Sequence, residues 1–223
     1  MRKNGWGRAL RYFIQQAQSF VLTAIAGGFL MSAYVWVLRG DEMSTKALFQ
    51  MIPGSAIFVA LMVLFTGEMS SATYWYSTTI SFGALRKHVF WGTLVMDGLV
   101  MMESLVFYVA MSALLHAGQT DLLYFASMFL LVEGIAKLLG LASIKWGKVV
   151  NVLMIIGVAF ICGMIGFVAV YGGMSGSVVS IASVLGDDKP QTVQWLLLAV
   201  SGVVFLVTNT GSWRIFRKYE VRA

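Results

Sequence analysis

Long apolar runs are the feature that most constrains the fold of this chain. Several stretches of about 20 residues are each long enough to cross a hydrocarbon core of about 30 Å as a helix. Charged residues make up only 12% of the 223 residues, about half of their share in a typical soluble domain. A transmembrane β-barrel would need alternating segments of roughly 10 residues, which the sequence lacks. The predicted fold class is therefore an all-α polytopic membrane protein.

The apolar runs predict six transmembrane helices within one transmembrane domain. Pro53 suits the first turn of the second span, and the run from there to Tyr76, roughly 36 Å long as a helix, lets its end project past the bilayer. The first apolar run has about 19 residues, more than the roughly 7–15 of a signal-peptide core, which favours an uncleaved first helix. The predicted spans are residues 20–38, 53–76, 92–115, 122–141, 149–170 and 192–210.

Two segments beside the spans have their own patterns. Apolar positions in residues 4–18 recur at helical spacing, which predicts an amphipathic elbow helix in the headgroup plane; the alternative is an N-terminal extension of the first span. Residues 171–191 begin with glycines and serines and then become apolar, which predicts a re-entrant hairpin on the outer side. Ala24, Gly28 and Ser32 give the first span a small-residue face that another helix can approach closely.

The distribution of Lys and Arg predicts that both termini lie in the cytoplasm. Twelve of the 16 Lys and Arg residues fall in the predicted inner segments and three in the outer segments, with Lys137 inside a span. Such an excess is typical of cytoplasmic loops. The net charge of +6 therefore reflects topology and gives no reason to expect nucleic-acid binding. The inner group is Arg2, Lys3, Arg8, Arg11, Arg86, Lys87, Lys145, Lys148, Arg214, Arg217, Lys218 and Arg222, and the outer group is Arg39, Lys46 and Lys189.

Four carboxyl groups and one lysine fall within the predicted spans. A charge at the bilayer centre costs about 2.5–3.5 kcal/mol, so such residues usually face protein or water. Glu68 and Asp97 lie toward the inner side, whereas Glu103 lies about 16 Å into the third span, close to the midplane. Glu103 is therefore the strongest candidate for a translocation path or proton relay, together with Glu68 and Asp97. The alternative for Glu103 is a protonated carboxyl that is hydrogen-bonded to a neighbouring helix.

Glu133 and Lys137 are four residues apart on the fourth span, with the acid before the base, so they share a helical face. This spacing predicts a structural ion pair that lets the span insert. Two histidines and one cysteine do not make a metal site, and neither a G-x-S-x-G sequence nor a P-loop occurs. The chain is therefore not expected to be an enzyme or to bind ATP. An intramembrane enzyme that uses the buried carboxylates stays a minor alternative.

The link between the second and third spans, residues 77–91, is polar and basic, and it lies between two apolar runs. Its sequence, Ser81-Phe82-Gly83-Ala84-Leu85-Arg86-Lys87-His88, resembles the Gly-x-x-Arg-Lys pattern of type 2 ABC transporter permeases. The predicted elbow helix, outer hairpin and cytoplasmic termini resemble the small six-span bacterial form of that family.

The resemblance implies a function that residue patterns alone do not give. Residues 77–91 would form a coupling segment that docks on a separate ABC ATPase, with Gly83, Arg86 and Lys87 in contact with it. For Arg86 and Lys87 the alternative is that they only fix the orientation. A second permease chain would complete an exporter in the bacterial cytoplasmic membrane, and ATP and Mg would bind the ATPase, leaving this chain without a cofactor. The alternative function is that of an ion-gradient-driven carrier. The small-residue faces of the first and fifth spans, the latter at Ala159 and Gly163, are candidate dimer contacts.

Overall fold

The structure is a computed structural model that describes residues 5–39, 44–70, 86–116, 122–146 and 191–218. These ranges contain five α-helices and no strand, and each helix is long and apolar enough to cross a membrane. Among the described residues the fold is therefore all-helical and compatible with a multi-pass membrane protein. The helices are α1 Gly5–Arg39, α2 Thr45–Ser70, α3 Arg86–Leu114, α4 Leu122–Trp146 and α5 Gln191–Lys218.

The predicted elbow segment is continuous with the first span, because α1 runs unbroken from Gly5 to Arg39. Its apolar stripe is buried by protein: Ala9, Phe13 and Ala17 are at most 4% exposed. Phe13 packs on α3 at Gly92, where an added Cβ would collide with the Phe13 ring. The prediction of a separate helix is corrected to the alternative, an extension of the first span. Contact with α3 accounts for the amphipathic pattern that suggested the headgroup plane.

α2 begins earlier than the sequence predicts. The Ser44 hydroxyl accepts a hydrogen bond from the backbone N–H of Ala47 at 3.2 Å, which is the usual contact of an N-cap serine. Pro53 therefore lies inside the helix, and the prediction that it occupies the first turn is wrong. The polar residues before Pro53 interrupt the apolar run without interrupting the helix. Residues 71–76 of the predicted second span lie outside the described residues.

The other described helices also extend beyond the predicted spans. α3 begins at Arg86, so residues 86–91 of the predicted coupling segment are helical, and α5 continues past residue 210 to Lys218. The length of an apolar run marks the hydrocarbon crossing, whereas a helix continues for as long as its backbone hydrogen bonds persist. The predicted span 149–170, nearly all of the predicted hairpin, and Gly83, Ala159 and Gly163 lie outside the described residues.

The small-residue face of α1 packs against α2 of the same chain. A Cβ added to Gly28 would lie 2.6 Å from Ala56 Cα and 2.7 Å from its backbone nitrogen. One turn further along, the Ser32 hydroxyl donates a hydrogen bond to Ser55 Oγ at 3.1 Å. The close approach predicted for this face is confirmed, but α2 occupies the face. It is therefore not available as the dimer contact that the sequence suggested.

The last two described helices, α4 and α5, run parallel to each other. A Cβ added to Gly134 of α4 would collide with Thr208 of α5, and about one turn later Gly211 of α5 lies close to Leu138 of α4. Contacting positions thus increase along both helices, so the end of α4 and the start of α5 lie at opposite ends of the bundle.

Candidate functional site

A buried ionic cluster joins three of the helices. Lys137 Nζ of α4 donates hydrogen bonds to Asp97 Oδ2 of α3 at 2.6 Å and to Glu133 Oε1 of α4 at 2.9 Å. Glu68 Oε2 of α2 lies 3.8 Å from the same nitrogen. The ion pair expected from the four-residue spacing of Glu133 and Lys137 is formed, and two further carboxyl groups join it. Glu68, Asp97, Glu133 and Lys137 are called the ionic cluster below.

The ionic cluster is almost inaccessible to solvent. The exposed fractions are 0% for Glu68, 1% for Lys137, 2% for Asp97 and 5% for Glu133. Burying an ion costs several kcal/mol unless a partner and hydrogen bonds compensate it. Lys137 Nζ also lies 5.9 Å from the centroid of the Phe90 ring, at the outer limit of a cation–π contact. A single cation thus holds three acidic side chains together in a buried environment.

Close helix contact at Gly140 places Glu68 in the ionic cluster. A Cβ on Gly140 would lie 2.8 Å from the carbonyl oxygen of Glu68 and 3.0 Å from Met69 Cα. Backbone atoms cannot shift cheaply, so glycine permits a spacing between α2 and α4 that a larger residue would widen. Gly140 is three residues after Lys137 and therefore lies on nearly the same face of α4. The contact brings the end of α2, and with it the Glu68 carboxyl, against the Lys137 side chain.

A small cavity adjoins the ionic cluster. Its volume is about 110 Å³, and its polar lining comes from Asp97 and Glu133. Asp97 Oδ2 accepts a hydrogen bond from Lys137, and the Glu68 and Glu133 carboxyls lie within hydrogen-bonding reach of the Asp97 carboxyl. The rest of the wall is Gly98 and six apolar side chains from α2, α3, α4 and α5, namely Leu64, Leu94, Met101, Phe129, Leu130 and Phe205. The cavity therefore places two carboxyl groups of the ionic cluster beside a space with apolar walls.

Glu103 lies outside the ionic cluster. It is on α3, six residues after Asp97, a turn of about 240° around the helix axis, and its side chain is only partly buried. The sequence ranked Glu103 first because of its depth in the span, but depth along a helix does not specify which side of the helix a residue occupies. Of the three carboxyls predicted for a translocation path, the structure groups Glu68 and Asp97 and leaves Glu103 apart.

The basic residues of three helix ends meet at one end of the bundle. The ring of Trp6 on α1 lies 5.3 Å from that of His88 on α3. Arg86 Nη1 donates a hydrogen bond to the backbone carbonyl of Arg217, near the end of α5, at 3.2 Å. The starts of α1 and α3 and the end of α5 are therefore neighbours. This region, called the basic end below, carries Arg8, Arg11, Arg86, Lys87, Arg214 and Arg217.

The grouping of Glu68 and Asp97 with the predicted ion pair is what the sequence reasoning missed. A signal was present, because Lys137 is the single Lys or Arg within the predicted spans and a buried cation attracts buried acids. Among the residues that the structure describes, no group of three or more His, Cys, Asp or Glu side chains could hold a metal ion. In the ionic cluster the Lys137 ammonium lies among the three carboxyl groups.

Comparison with known proteins identifies no relative of this chain. No protein-family model, no curated protein and no solved structure matches this chain. Its function is therefore inferred from the sequence pattern and from the geometry of the ionic cluster and the basic end.

Proposed function

We propose that this chain is the membrane-spanning permease subunit of an ATP-driven ABC-type transporter, an exporter of the bacterial cytoplasmic membrane. A separate ATPase subunit docks at residues 77–91 and binds ATP and Mg, and a second permease chain completes the assembly. The observation that carries the proposal is the hydrogen bond from Arg86 to the backbone of Arg217 at the basic end. It ties the start of α3, which is the last part of the docking segment, to the end of another long helix.

The basic end is suited to passing movement from a docked motor into the bundle. A pull on residues 77–91 acts first on Arg86 and the start of α3. The bond to Arg217 passes that movement to α5, and the ring contact between Trp6 and His88 passes it to α1. Helices are stiff over a few turns, so displacement at this end changes the packing deeper in the bundle.

The proposed topology has six spans and cytoplasmic termini. The parallel course of α4 and α5 supports a return span within residues 147–190, where the sequence predicts residues 149–170. The concentration of arginines at the basic end supports its placement in the cytoplasm, because cytoplasmic segments are enriched in Lys and Arg. The hairpin at residues 171–191 stays a prediction from the sequence.

Co-purification tests the docking proposal. Tagged full-length chain, solubilised from membranes that contain its natural partners, should retain an ATPase that carries its own P-loop. Reversing charge with Arg86→Glu and Lys87→Glu should weaken that association, because the basic contacts become acidic. The matched control is Arg8→Glu with Arg11→Glu, which makes the same charge change at exposed positions of the same end.

Two outcomes would contradict the docking proposal. One is the absence of any P-loop ATPase in the purified complex. The other is equal loss of ATPase in the test and control variants, which would indicate a general effect of charge. Because Arg86 also bonds Arg217, the single variant Lys87→Glu, at an exposed position, separates loss of docking from loss of this internal contact.

An ion-gradient-driven carrier is a second candidate, and the ionic cluster favours it. Ionisable residues buried in a membrane frequently mark ion pathways and proton relays, and a permease that is moved only by an ATPase does not need three buried acids around one lysine. This candidate predicts that the purified chain works without an ATPase partner and that substitutions in the ionic cluster abolish transport. The ABC-type proposal predicts instead that ATP hydrolysis by the partner is required.

A further inference from the structure

We propose that a groove at the start of α3 binds an anionic phospholipid, with the phosphate on Lys87 and the upper part of an acyl chain against Trp91 and Val95. The groove has a volume of about 420 Å³ and is lined by Trp6 of α1 and by Lys87, His88, Trp91 and Val95 of α3. It is called the α3 groove below. The inference needs only that α3 crosses a membrane, so it does not rest on the proposed docking of an ATPase.

The residues that α3 contributes to the groove change in character along one face of the helix. Lys87, Trp91 and Val95 follow one another at intervals of four residues, the spacing at which side chains lie one above another on a helix. From Lys87 to Val95 the helix rises about 12 Å. Over that distance the face passes from an ammonium group to an indole ring and then to an aliphatic side chain. A phospholipid presents a matching order, from phosphate through the glycerol esters to hydrocarbon.

The α3 groove crosses the expected edge of the hydrocarbon region. The sequence predicts that the third span begins at residue 92, which places Lys87 and Trp91 at the level of the headgroups and Val95 among the acyl chains. Tryptophan is enriched at this level because its ring is apolar and its N–H is polar. Trp6 adds a second tryptophan from α1, with its ring 5.3 Å from that of His88. The groove is therefore suited to a molecule that is polar at one end and apolar at the other.

The charge around the α3 groove favours an anionic headgroup. α1 and α5 contain no Asp or Glu. Of the four Asp and Glu residues in the described ranges, three belong to the buried ionic cluster. The fourth, Glu103, is sixteen residues beyond Lys87 on α3, a distance of about 24 Å. The exposed charges that the structure describes at the basic end are therefore cationic, and each Lys or Arg near a membrane surface strengthens the attraction of anionic lipid.

The exposure of the apolar side chains distinguishes a phospholipid from a free phosphate. Trp91 is 60% exposed and Val95 is 39% exposed, so the described helices leave both side chains open at the depth where acyl chains begin. A free phosphate could pair with Lys87 but would gain nothing from these two side chains. A phospholipid covers both of them and places its phosphate beside the lysine.

Quenching of Trp91 fluorescence by brominated lipid tests the proposal. The whole chain, purified without an ATPase, is placed in nanodiscs that contain brominated phosphatidylglycerol, which is anionic, or brominated phosphatidylcholine, which is zwitterionic. The difference between the wild type and Trp91→Phe gives the quenching of Trp91 itself. Half-maximal quenching should require about fivefold less phosphatidylglycerol than phosphatidylcholine, which is the preference expected from one basic residue near a membrane surface.

Substitutions of Lys87 test whether its charge selects the lipid. Lys87→Gln should remove most of the preference for phosphatidylglycerol, whereas Lys87→Arg keeps the charge and should retain the preference. Lys87 is exposed, so both variants should fold. Lys46→Gln is the matched control, because it removes a lysine charge at an exposed position in the first turn of α2, outside the α3 groove. It should change the preference by less than about twofold.

Four outcomes would overturn the proposal. Equal quenching by the two lipids would indicate an ordinary lipid contact, and no quenching of Trp91 by either lipid would indicate that protein covers the groove. An unchanged preference in Lys87→Gln would exclude the lysine as the phosphate ligand. Displacement of the brominated phosphatidylglycerol by inorganic phosphate would identify a site for free phosphate. Because the ATPase is absent from this assay, the lipid proposal and the docking proposal can fail separately.

Discussion

Replacing Lys137 with methionine tests whether the ionic cluster holds the bundle together. Methionine keeps much of the apolar stem but removes the ammonium that bonds Asp97 at 2.6 Å and Glu133 at 2.9 Å. Removing one partner from a buried charged set costs about 3–5 kcal/mol, because the remaining charges lose their compensation. For a chain of this size each kcal/mol lowers the unfolding midpoint by about 2–4 °C, so the expected fall is about 6–20 °C.

The midpoint can be measured from tryptophan fluorescence of the purified chain in detergent during heating. Lys46→Met is the matched control, because it makes the same substitution at an exposed position in the first turn of α2 and should shift the midpoint by less than about 2 °C. Repeating the comparison near pH 5 should reduce the Lys137→Met defect, because a protonated carboxyl carries no charge that needs a cation. A Lys137→Met midpoint equal to that of the control would refute the energetic reasoning.

Two further predictions concern contacts between the helices. Gly28→Ala should destabilise the chain by about 1–3 kcal/mol through a backbone clash with α2, whereas Gly7→Ala, where an added Cβ meets nothing within 4 Å, should not; equal midpoints for the two variants would contradict the clash. Gln50 donates side-chain hydrogen bonds to the carbonyls of the residue before His116 and of His116 itself at 3.5 and 3.3 Å. Gln50→Ala should therefore speed amide hydrogen exchange at the end of α3, and Gln18→Ala, at an exposed position, should leave it unchanged.

The sequence predicts helices reliably here and helix ends poorly. Apolar runs locate all five described helices, because the thickness of the hydrocarbon imposes a minimum length on each crossing. The start of α2 depends instead on the hydroxyl of Ser44, a local contact that hydropathy does not register. Hydropathy also led to a wrong prediction for the N-terminal part of α1, as a separate helix in the headgroup plane. An apolar stripe on a helix indicates that it packs against another apolar surface. In α1 that surface is α3, which it contacts at Gly92, rather than the headgroup region.

Only part of the candidate site was predictable from the sequence. The spacing of Glu133 and Lys137 specifies a contact within one helix, so sequence alone identifies it. The addition of Asp97 and Glu68 depends on which helices are neighbours, and that is set by tertiary contacts such as the one at Gly140. Glu103 was ranked by its depth in the span, which the sequence gives. Membership of the ionic cluster depends instead on the rotation of α3 about its axis, which the sequence does not give.

The order of the four clustered residues along the chain has a consequence for biosynthesis. The ribosome completes α2 and α3, with Glu68 and Asp97, before the cation at position 137 exists, so the insertion machinery receives two acids ahead of their base. α4 then arrives with its own acid one turn before the lysine and can enter the lipid as a neutral unit. All four groups are present once α4 is made, so the ionic cluster can form before α5 is synthesised.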